Sequence, residues 1–410
     1  MRRTRNRGTA LCAAAMILLI SITGERVSLC CADSVFPEEK QEKDPEALNK
    51  LASFRVIKTS DGSYQIAEAD AKSANDTEVL SNDDIQPETG VYQFGESDPD
   101  SESASGYIEE SFSDADMFNL SQDIYSFIHI SDTQYSTALA PYVFQEQCEY
   151  IAQNRDLLNI RFVAHTGDII DCAPLENQWL NAKCCINILE NAEIPKQIIA
   201  GNHDIGTEQN YREFLSWFGA DTYINNYTAM YSYNNGEALV QLVDAGNGHI
   251  WMFAGTGWNP TERALKWVAS VMAEHTDCPA VIMTHDYLNV DGTISTVGRR
   301  IASYLVDPFP NARIVLCGHN HAYATNVSAY DDNRDGIIDR RVYAMLADFQ
   351  ADGNQETGKF RILTVSEPEG LIYVRTYSTQ TDSYIKDDAF AIKMDGDWFS
   401  RQNNAINRYF

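Results

Sequence analysis

Short apolar runs alternate with amphipathic segments between residues 124 and 380. The runs have the length of strands, and the segments between them carry apolar side chains at helical spacing, beginning at Pro141, Pro174 and Thr261. The predicted strands of this part are YSFIHI, RFVAH, KQIIA, AVIMT and RIVLC, the last two separated by a helix around residues 301–305. This alternation predicts an α/β domain.

The end of the domain has a different pattern. RVYAMLADF, FRILTV and LIYVRTYS follow one another between residues 341 and 378 without helical segments between them. A strand-rich end after alternating strands and helices predicts a sandwich with a mixed sheet. Residues 381–410 are then expected to form a C-terminal tail that packs on the domain.

Residues 1–32 have the pattern of an export signal. A basic segment, Arg2 to Arg7, precedes an apolar segment at residues 11–22 that is too short to span a bilayer. Cys30 and Ala32 are small residues that suit cleavage after Ala32. We therefore predict a secreted or extracytoplasmic protein, either free or attached to the cell surface, with no transmembrane helix in the mature chain. The alternative is an uncleaved segment that serves as a membrane anchor.

Residues 33–123 form an acidic extension. They carry about 23 acidic and 6 basic side chains, well over half of the net charge of −28. Residues 96–116 have the low hydrophobicity and high charge of a disordered linker, while residues 54–69 alternate around Asp61-Gly62 and predict a hairpin. Binding to a nucleic-acid backbone is not expected of so acidic a chain, because phosphate contacts require Lys and Arg.

Polar side chains directly follow five of the predicted strands. The clusters are Asp132-Thr133-Gln134, Gly167-Asp168 with Asp171, Gly201-Asn202-His203-Asp204, His285-Asp286 and Gly318-His319-Asn320-His321. Open α/β sheets place their ligands at the carboxyl ends of the strands. Oxygen and nitrogen donors at five strand ends therefore predict one site at that edge of the sheet.

This ordered set resembles the motifs of the calcineurin-like metallophosphoesterase family, which are D-x-H, GD-x-x-D, GNH(D/E), a single His and GH-x-H. The resemblance covers about residues 125–378. Each motif alone is only moderately specific, but the occurrence of all five in order on alternating strands makes the match specific. The resemblance implies an α-β-β-α sandwich with mixed sheets and a metal site at the C-terminal ends of the strands.

The resemblance also implies a role for each matching residue. It assigns two divalent cations to seven residues: Asp132, Gln134 and His321 to the first, Asn202, His285 and His319 to the second, and Asp168 to both. His203 would lie beside the substrate phosphate as the catalytic group. Two such cations hold the attacking and leaving oxygens, and a bridging hydroxide is the expected nucleophile. Imidazole and carboxylate donors together favour Mn, Fe or Zn over calcium.

Position 134 is Gln where the family usually has His. The neutral amide oxygen is a weaker donor than imidazole, so the first cation is expected to be held less tightly or to be a harder ion. Two interpretations stay open at this point. Gln134 either ligates the cation, directly or through water, or only hydrogen-bonds a metal-bound water.

Three further carboxylates closely follow predicted ligands or the catalytic group, namely Asp171, Asp204 and Asp286. Each either orients an imidazole or a water, or is simply a hydrogen-bonded loop carboxylate.

A separate acidic segment, DDNRDGIIDR, has the spacing of a calcium-binding loop. It places Asp331, Asn333, Asp335 and Asp339 at loop positions 1, 3, 5 and 9. Position 12 is Val342, so the usual bidentate Glu is missing. The segment is therefore either a weak calcium site or an Asp-rich hairpin turn without a metal.

Together these features predict an exported metal-dependent phosphoesterase that hydrolyses a phosphomonoester or a phosphodiester of a small molecule or a lipid. The ligand set suits nucleotides, phospholipid head groups and phosphosugars alike. The alternative is a catalytically weak or inactive surface or binding protein on the same scaffold, and the substitution at Gln134 keeps that alternative open.

Overall fold

A computed structural model of the chain describes residues 54–58, 64–68, 122–206, 209–223, 229–350, 358–395 and 398–399. The strands are β1 Phe54–Lys58, β2 Tyr64–Glu68, β3 Ile124–Ile130, β4 Ile160–His165, β5 Lys196–Ile198, β6 Ala229–Tyr233, β7 Ala238–Asp244, β8 Ile250–Thr256, β9 Ala280–Thr284, β10 Ala312–Cys317, β11 Tyr323–Tyr330, β12 Arg340–Ala347, β13 Lys359–Ser366, β14 Leu371–Ser378 and β15 Ser383–Lys393. The α-helices are α1 Gln134–Leu139, α2 Pro141–Gln153, α3 Glu176–Asn191, α4 Asn202–Ile205, α5 Arg212–Phe218, α6 Glu262–Glu274 and α7 Thr296–Leu305.

The strands form two mixed sheets. The first sheet has eight strands in the order β1-β2-β15-β14-β13-β3-β4-β5, and the second has seven in the order β11-β12-β10-β9-β8-β7-β6. Strands β3, β4 and β5 run parallel in the first sheet, and β8, β9, β10 and β12 run parallel in the second. Parallel neighbours need long connections, which the helices largely provide.

Helices cover the outer face of each sheet. Helices α2, α3 and α5 bury Phe144, Trp179 and Phe214 against the first sheet. Helices α6 and α7 bury Leu265 and Ile301 against the second. Each helix therefore places one apolar face on a sheet and leaves the other to solvent.

The two sheets pack directly against each other. Phe162 of β4 stacks on Phe253 of β8 with ring centroids 4.0 Å apart, and Phe127 of β3 meets the edge of Trp251 of β8 at 5.1 Å. The layers are therefore helix, sheet, sheet and helix, which confirms the predicted α-β-β-α sandwich with mixed sheets. No helix within the described ranges is both long and apolar enough to cross a membrane.

Most predicted elements are present, with ends shifted by one or two residues. Helix α2 begins at Pro141, and Thr261 caps α6 by accepting the N–H of Ala264 at 3.2 Å. The helix predicted to begin at Pro174 begins instead at Glu176, because the backbone of Leu175 is still extended. Strands β6, β7 and β8 were not predicted. The runs ALVQLVD and IWMFAGT are almost wholly buried, and periodicity alone cannot separate such strands from buried helices.

The first sheet continues beyond residue 380, where the sequence analysis ended the domain. Strand β15 pairs with β14 from Ser383 to Lys393, so these residues belong to the sheet and are not a tail. The charged centre of β15 conceals the strand in the sequence. Asp388 of β15 is buried and accepts two hydrogen bonds from the buried Arg361, at 2.9 and 2.6 Å.

The predicted hairpin in the acidic extension is present as β1 and β2, which pair antiparallel. Strand β2 also pairs with β15, through Gln65 with Phe390 and Tyr64 with Ala391, so the hairpin extends the edge of the first sheet. The predicted signal at residues 1–32 and the predicted linker at residues 96–116 lie outside the described residues.

Candidate metal centre

The five polar clusters meet at the carboxyl ends of β3, β4, β5, β9 and β10. The N–H of Asp132 donates to the carbonyl of Gly167 at 3.0 Å, and the N–H of Gly318 donates to the carbonyl of His285 at 2.9 Å. His285 Nδ1 lies 2.8 Å from the carbonyl oxygen of Thr166, which follows β4, so the two sheets contribute loops to one cleft. This convergence is the one predicted from the polar residues at the five strand ends.

The residues predicted for a second cation lie together. One donor atom each from Asp168, His285 and His319 lies within 4.8 Å of the other two. His285 Nε2 is 3.2 Å from Asp168 Oδ2 and 3.1 Å from Asn202 Oδ1. Two imidazoles, a carboxylate and an amide oxygen form a donor set that fits a borderline divalent cation.

His285 is oriented by the backbone. Its Nδ1 donates to the carbonyl of Thr166 at 2.8 Å, which directs Nε2 toward Asp168. Burial alone would lower the pKa of His285, but the Asp168 carboxylate raises it to about 10. Burial alone would likewise raise the pKa of Asp168, and the charge of His285 lowers it instead. A cation at this position would replace the shared proton.

His319 completes this group from the second sheet. Its ring centroid lies 5.0 Å from that of His285 and 4.5 Å from that of Trp258. Burial, and then the charge of His285, lower the pKa of His319 to about 4, so its imidazole is neutral at physiological pH. A neutral imidazole is the form that binds a metal.

The residues predicted for the first cation are more spread out. Asp132 is buried and accepts the N–H of His319 at 3.2 and 3.1 Å, while burial and then the charge of Asp348 raise its pKa. The amide of Gln134 is 1% exposed and lies 3.3 Å from Asp168 Oδ2. His321 is exposed, and its N–H donates to Asp348 Oδ2 at 2.8 Å.

Four predicted ligands have backbone conformations that are uncommon for residues other than glycine. The φ angles are 55° at Asp132, 52° at Asp168, 76° at His319 and 31° at His321. Such conformations cost on the order of 1 kcal/mol each and persist where surrounding contacts impose them. Their concentration at these strand ends indicates a site whose geometry is maintained at a cost in stability.

Two glycines of the motifs leave room for the carboxylates. A Cβ on Gly201 would collide with the carboxylate and N–H of Asp168, and one on Gly318 would collide with Ser131 Oγ and the carboxylate of Asp132. Neither glycine has a positive φ angle. Close approach of the neighbouring carboxylate therefore requires glycine at these two positions.

His203, the predicted catalytic group, faces the cleft. Its side chain is 34% exposed, with Nε2 4.0 Å from Asp168 Oδ2. Its Nδ1 lies 2.8 Å from the carbonyl oxygen of Asp171 and 3.2 Å from Asp171 Oδ1. Of the two roles considered for Asp171, the structure therefore favours orientation of an imidazole.

Asp204 and Asp286 act as loop carboxylates. Asp204 is fully buried and accepts the N–H groups of Gly201, Ile169 and Ile170 at 2.7, 2.9 and 3.1 Å. It thus connects the loops after β4 and β5. Burial raises the pKa of Asp286, and a hydrogen bond from Ser295, the N-cap of α7, opposes the increase.

Sequence analysis missed three residues of the cleft. Trp258 follows β8, and its ring centroid lies 5.8 Å from that of His285. Asp348 and Gln350 follow β12 and are both buried. The signal for this pair was a carboxylate and an amide two residues apart after an apolar run, which is the arrangement of Asp132 and Gln134.

The predicted calcium loop connects β11 and β12. Asp331 accepts the N–H groups of Asp335 and Gly336 at 3.1 and 2.8 Å, and Asp339 accepts the N–H of Asn333 at 3.1 Å. Val342 at loop position 12 is buried in β12 and offers no ligand. The loop is therefore closed by its own hydrogen bonds, as the hairpin-turn interpretation requires, and calcium binding stays a prediction.

The chain is similar to a protein family and to a bacterial protein. Residues 125–323 match the calcineurin-like phosphoesterase family. The uncharacterized protein YvnB of Bacillus subtilis (strain 168) is 35% identical over 283 residues, which are 67% of this chain and 22% of that protein. This chain thus spans about a fifth of the length of that relative.

Solved structures are similar at low sequence identity. Purple acid phosphatase PPD1 from yellow lupin (Lupinus luteus) seeds has 14% identity and a TM-score of 0.45, over 67% of this chain and 55% of that chain. A dimetal phosphatase from Danio rerio has 11% identity and a TM-score of 0.44, over 64% of this chain and 98% of that chain.

Proposed function

Because residues 125–323 belong to the calcineurin-like phosphoesterase family, we propose that the protein is a metal-dependent hydrolase of phosphomonoesters or phosphodiesters. The observation that carries the proposal is the grouping of Asp168, His285 and His319 within 4.8 Å, with Asn202 Oδ1 beside His285. Asp132 and Gln134 lie next to this group on the β3 loop. These residues, with His321, are proposed to hold two divalent cations, with Mn, Fe or Zn best suited to the donors.

Bound divalent cations supply positive charge for the phosphate and acidify water. The side chains of the chain then have distinct tasks. Asp168 Oδ2 lies 3.3 Å from the Gln134 amide and 3.2 Å from His285 Nε2, so one carboxylate can serve both cation positions. Asp132 is proposed to serve the first position, and Asn202 and His319 the second.

His203 is proposed to contact the phosphate ester. Asp171 accepts from Nδ1, which leaves Nε2 directed at the cleft beside Asp168. When both ring nitrogens carry a proton, Nε2 can donate a hydrogen bond to a phosphate oxygen or a proton to the leaving oxygen. Its partial exposure allows a substrate to reach it.

We also propose that the protein acts outside the cytoplasm, either secreted or attached to the cell surface. The support is the sequence of residues 1–32, with its basic segment and its short apolar segment. The proposed substrates are small-molecule or lipid phosphate esters, because the net charge of −28 disfavours a polyanionic nucleic-acid backbone.

The test is a metal-by-substrate screen of the purified chain. Metal content is measured first, and hydrolysis of p-nitrophenyl phosphate and bis(p-nitrophenyl) phosphate is then followed with Mn²⁺, Fe²⁺ and Zn²⁺. We expect hydrolysis of at least one ester that chelation abolishes and added metal restores. A protein that binds two cations yet hydrolyses neither these esters nor glycerophosphodiesters would instead support the inactive scaffold.

A further inference from the structure

The environment of Gln134 determines the orientation of its amide. One end of the amide lies 3.1 Å from the carbonyl oxygen of Asp132 and 2.9 Å from that of Asp168, and the other end lies 3.0 Å from Gln350 Nε2 and 2.9 Å from Gln350 Oε1. Carbonyl oxygens only accept hydrogen bonds, so the end between the two carbonyls must be the NH₂ group. Both of its hydrogens then have acceptors, and Oε1 accepts from Gln350.

This orientation presents an oxygen toward Asp168. The end of the amide that carries Oε1 is the end 3.3 Å from Asp168 Oδ2. Two oxygens with no proton between them repel each other in the absence of a cation. Adjacent ligands at about 2.1 Å from an octahedral cation are separated by about 3 Å, so this separation suits two ligands of one ion.

Gln350 is held in turn by Asp348. The backbone N–H of Gln350 donates to Asp348 Oδ1 at 3.2 Å, and its Nε2 donates to Asp348 Oδ2 at 3.1 Å. The second hydrogen on Nε2 remains for Gln134 Oε1. Asp348 is 1% and Gln350 7% exposed, so water does not compete for these bonds.

Asp348 also holds His321, the second proposed ligand of the first cation that is not a carboxylate. Its Oδ2 accepts the N–H of His321 at 2.8 Å, where the backbone has a φ of 31°. One buried carboxylate therefore fixes Gln134, through Gln350, and His321, through its backbone. These are the two proposed ligands of the first cation that are not carboxylates.

We propose that Gln350 and Asp348 are positioning residues that hold the Oε1 of Gln134 in place as a ligand of the first cation. Only the oxygen end of a neutral amide binds a cation, so the orientation of the Gln134 amide decides whether it can be a ligand. The backbone carbonyls of Asp132 and Asp168 make the selection, and Gln350 holds the selected Oε1 by donating its Nε2–H to it. This inference rests on the proposed function for the existence of a first cation, but it concerns metal binding and not hydrolysis.

The test titrates the full chain with Mn²⁺ alone, using calorimetry for affinity and electron paramagnetic resonance for coupled Mn²⁺ pairs. We expect Gln350→Leu to weaken the more weakly held cation by about tenfold or more, with the tighter site unchanged. Asp348→Asn should weaken the same cation. Gln147→Leu is the matched control. Gln147 is also buried, and it donates to the carbonyl of Lys359 at a distance of 2.9 Å, in a part of the domain outside the cleft.

A double substitution separates positioning from general destabilisation. In a Gln134→Ala background, Gln350→Leu should change the affinity of the weaker cation less than twofold, because its target is gone. An unchanged affinity in Gln350→Leu, an equal loss in both backgrounds, or a wild-type chain that binds only one Mn²⁺ would overturn the inference. If Gln350→Leu selectively lost the weaker cation while the wild-type chain hydrolysed no ester, the inference would stand and the proposed function would be overturned.

Discussion

Asp168 Oδ2 lies 3.2 Å from His285 Nε2, although the two residues follow strands of different sheets, β4 in the first and β9 in the second. The other oxygen of the same carboxylate accepts the N–H of His203 at 2.8 Å. Asp168 thus connects the loops after β4, β5 and β9. Its negative charge attracts the His285 imidazole at the centre of the cleft. Loss of the Asp168 carboxylate should therefore affect metal binding strongly.

The first prediction concerns this carboxylate. Asp168→Asn should release at least one cation and lower turnover by about 100-fold or more, because a neutral amide cannot bridge two cations. Asp171→Asn should be milder, since the backbone carbonyl of Asp171 would still accept from His203 Nδ1. Metal analysis and steady-state kinetics of both variants provide the measurement. Near-normal metal content and rate in Asp168→Asn would contradict the dinuclear interpretation.

The strands that carry the site could be predicted because each ends in polar residues after a short apolar run. The five runs correspond to β3, β4, β5, β9 and β10, with ends within two residues of prediction. The local sequence is sufficient to predict these strands, because the apolar run and the polar residues that end it are adjacent in the chain.

The end of β12 carries the same local pattern, but its place beside the cleft could not be predicted from the sequence. The sequence analysis assigned RVYAMLADF to one strand, whereas β12 ends at Ala347 and Asp348 already belongs to the cleft. Parallel pairing of β12 with β10 brings its carboxyl end to the same edge. Such pairing is a long-range property of the fold. No local feature shows that Asp348 and Gln350 lie beside Gln134.

The second prediction concerns the acidic extension. A chain that lacks residues 33–116 should keep its metal content and hydrolysis within about twofold, because the cleft residues that the structure describes lie beyond residue 130 and β2 pairs with β15 at only two positions. A shorter deletion, of residues 33–53, keeps the hairpin and serves as the control. If the longer deletion abolished hydrolysis in a protein that still unfolds cooperatively, the extension would have to shape the active site.

The third prediction concerns pH and stability. Burial, and then the charge of His285, lower the pKa of His165 to about 3, compared with about 6.5 in an unfolded chain. Between these values the unfolded chain binds more protons, so stability falls as the pH drops below about 6.5. The contribution of His165 should fall by about 2 kcal/mol between pH 7 and pH 5.

The substitution His165→Gln isolates the contribution of His165 to the pH dependence of stability. His165 Nδ1 accepts the N–H of Gly167 at 3.2 Å, and its Nε2 contacts Thr133 Oγ1 at 3.1 Å, so the variant should be less stable at pH 7. The difference from wild type should shrink by about 2 kcal/mol at pH 5, as measured by urea unfolding at both pH values. A difference that did not depend on pH would show that His165 is not neutral in the folded protein.

The fourth prediction concerns the loop between β11 and β12. Any calcium should bind with a Kd no tighter than about 10⁻⁴ M, because the buried Val342 replaces the bidentate ligand. Asp331→Asn should remove such binding without changing metal content in the cleft. Calorimetry measures the Ca²⁺ affinity of the wild-type chain and of Asp331→Asn. Micromolar binding that survives Asp331→Asn would place calcium elsewhere.

The last prediction concerns the residue that departs from the family pattern. Gln134→His should tighten the first cation position, because imidazole is a better donor than an amide oxygen to borderline cations. A Mn²⁺ or Zn²⁺ titration should show stronger binding of the more weakly held ion, with the second position little changed. Gln134→Ala should weaken the same ion while the fold persists, because Gln134 begins α1 and packs against polar groups of the cleft. Hydrolysis can change in either direction, since tighter binding also alters the acidity of bound water. If neither substitution changed the occupancy or affinity of a cation, Gln134 would not be a ligand, and Asp132 and His321 would have to hold the first cation with water alone.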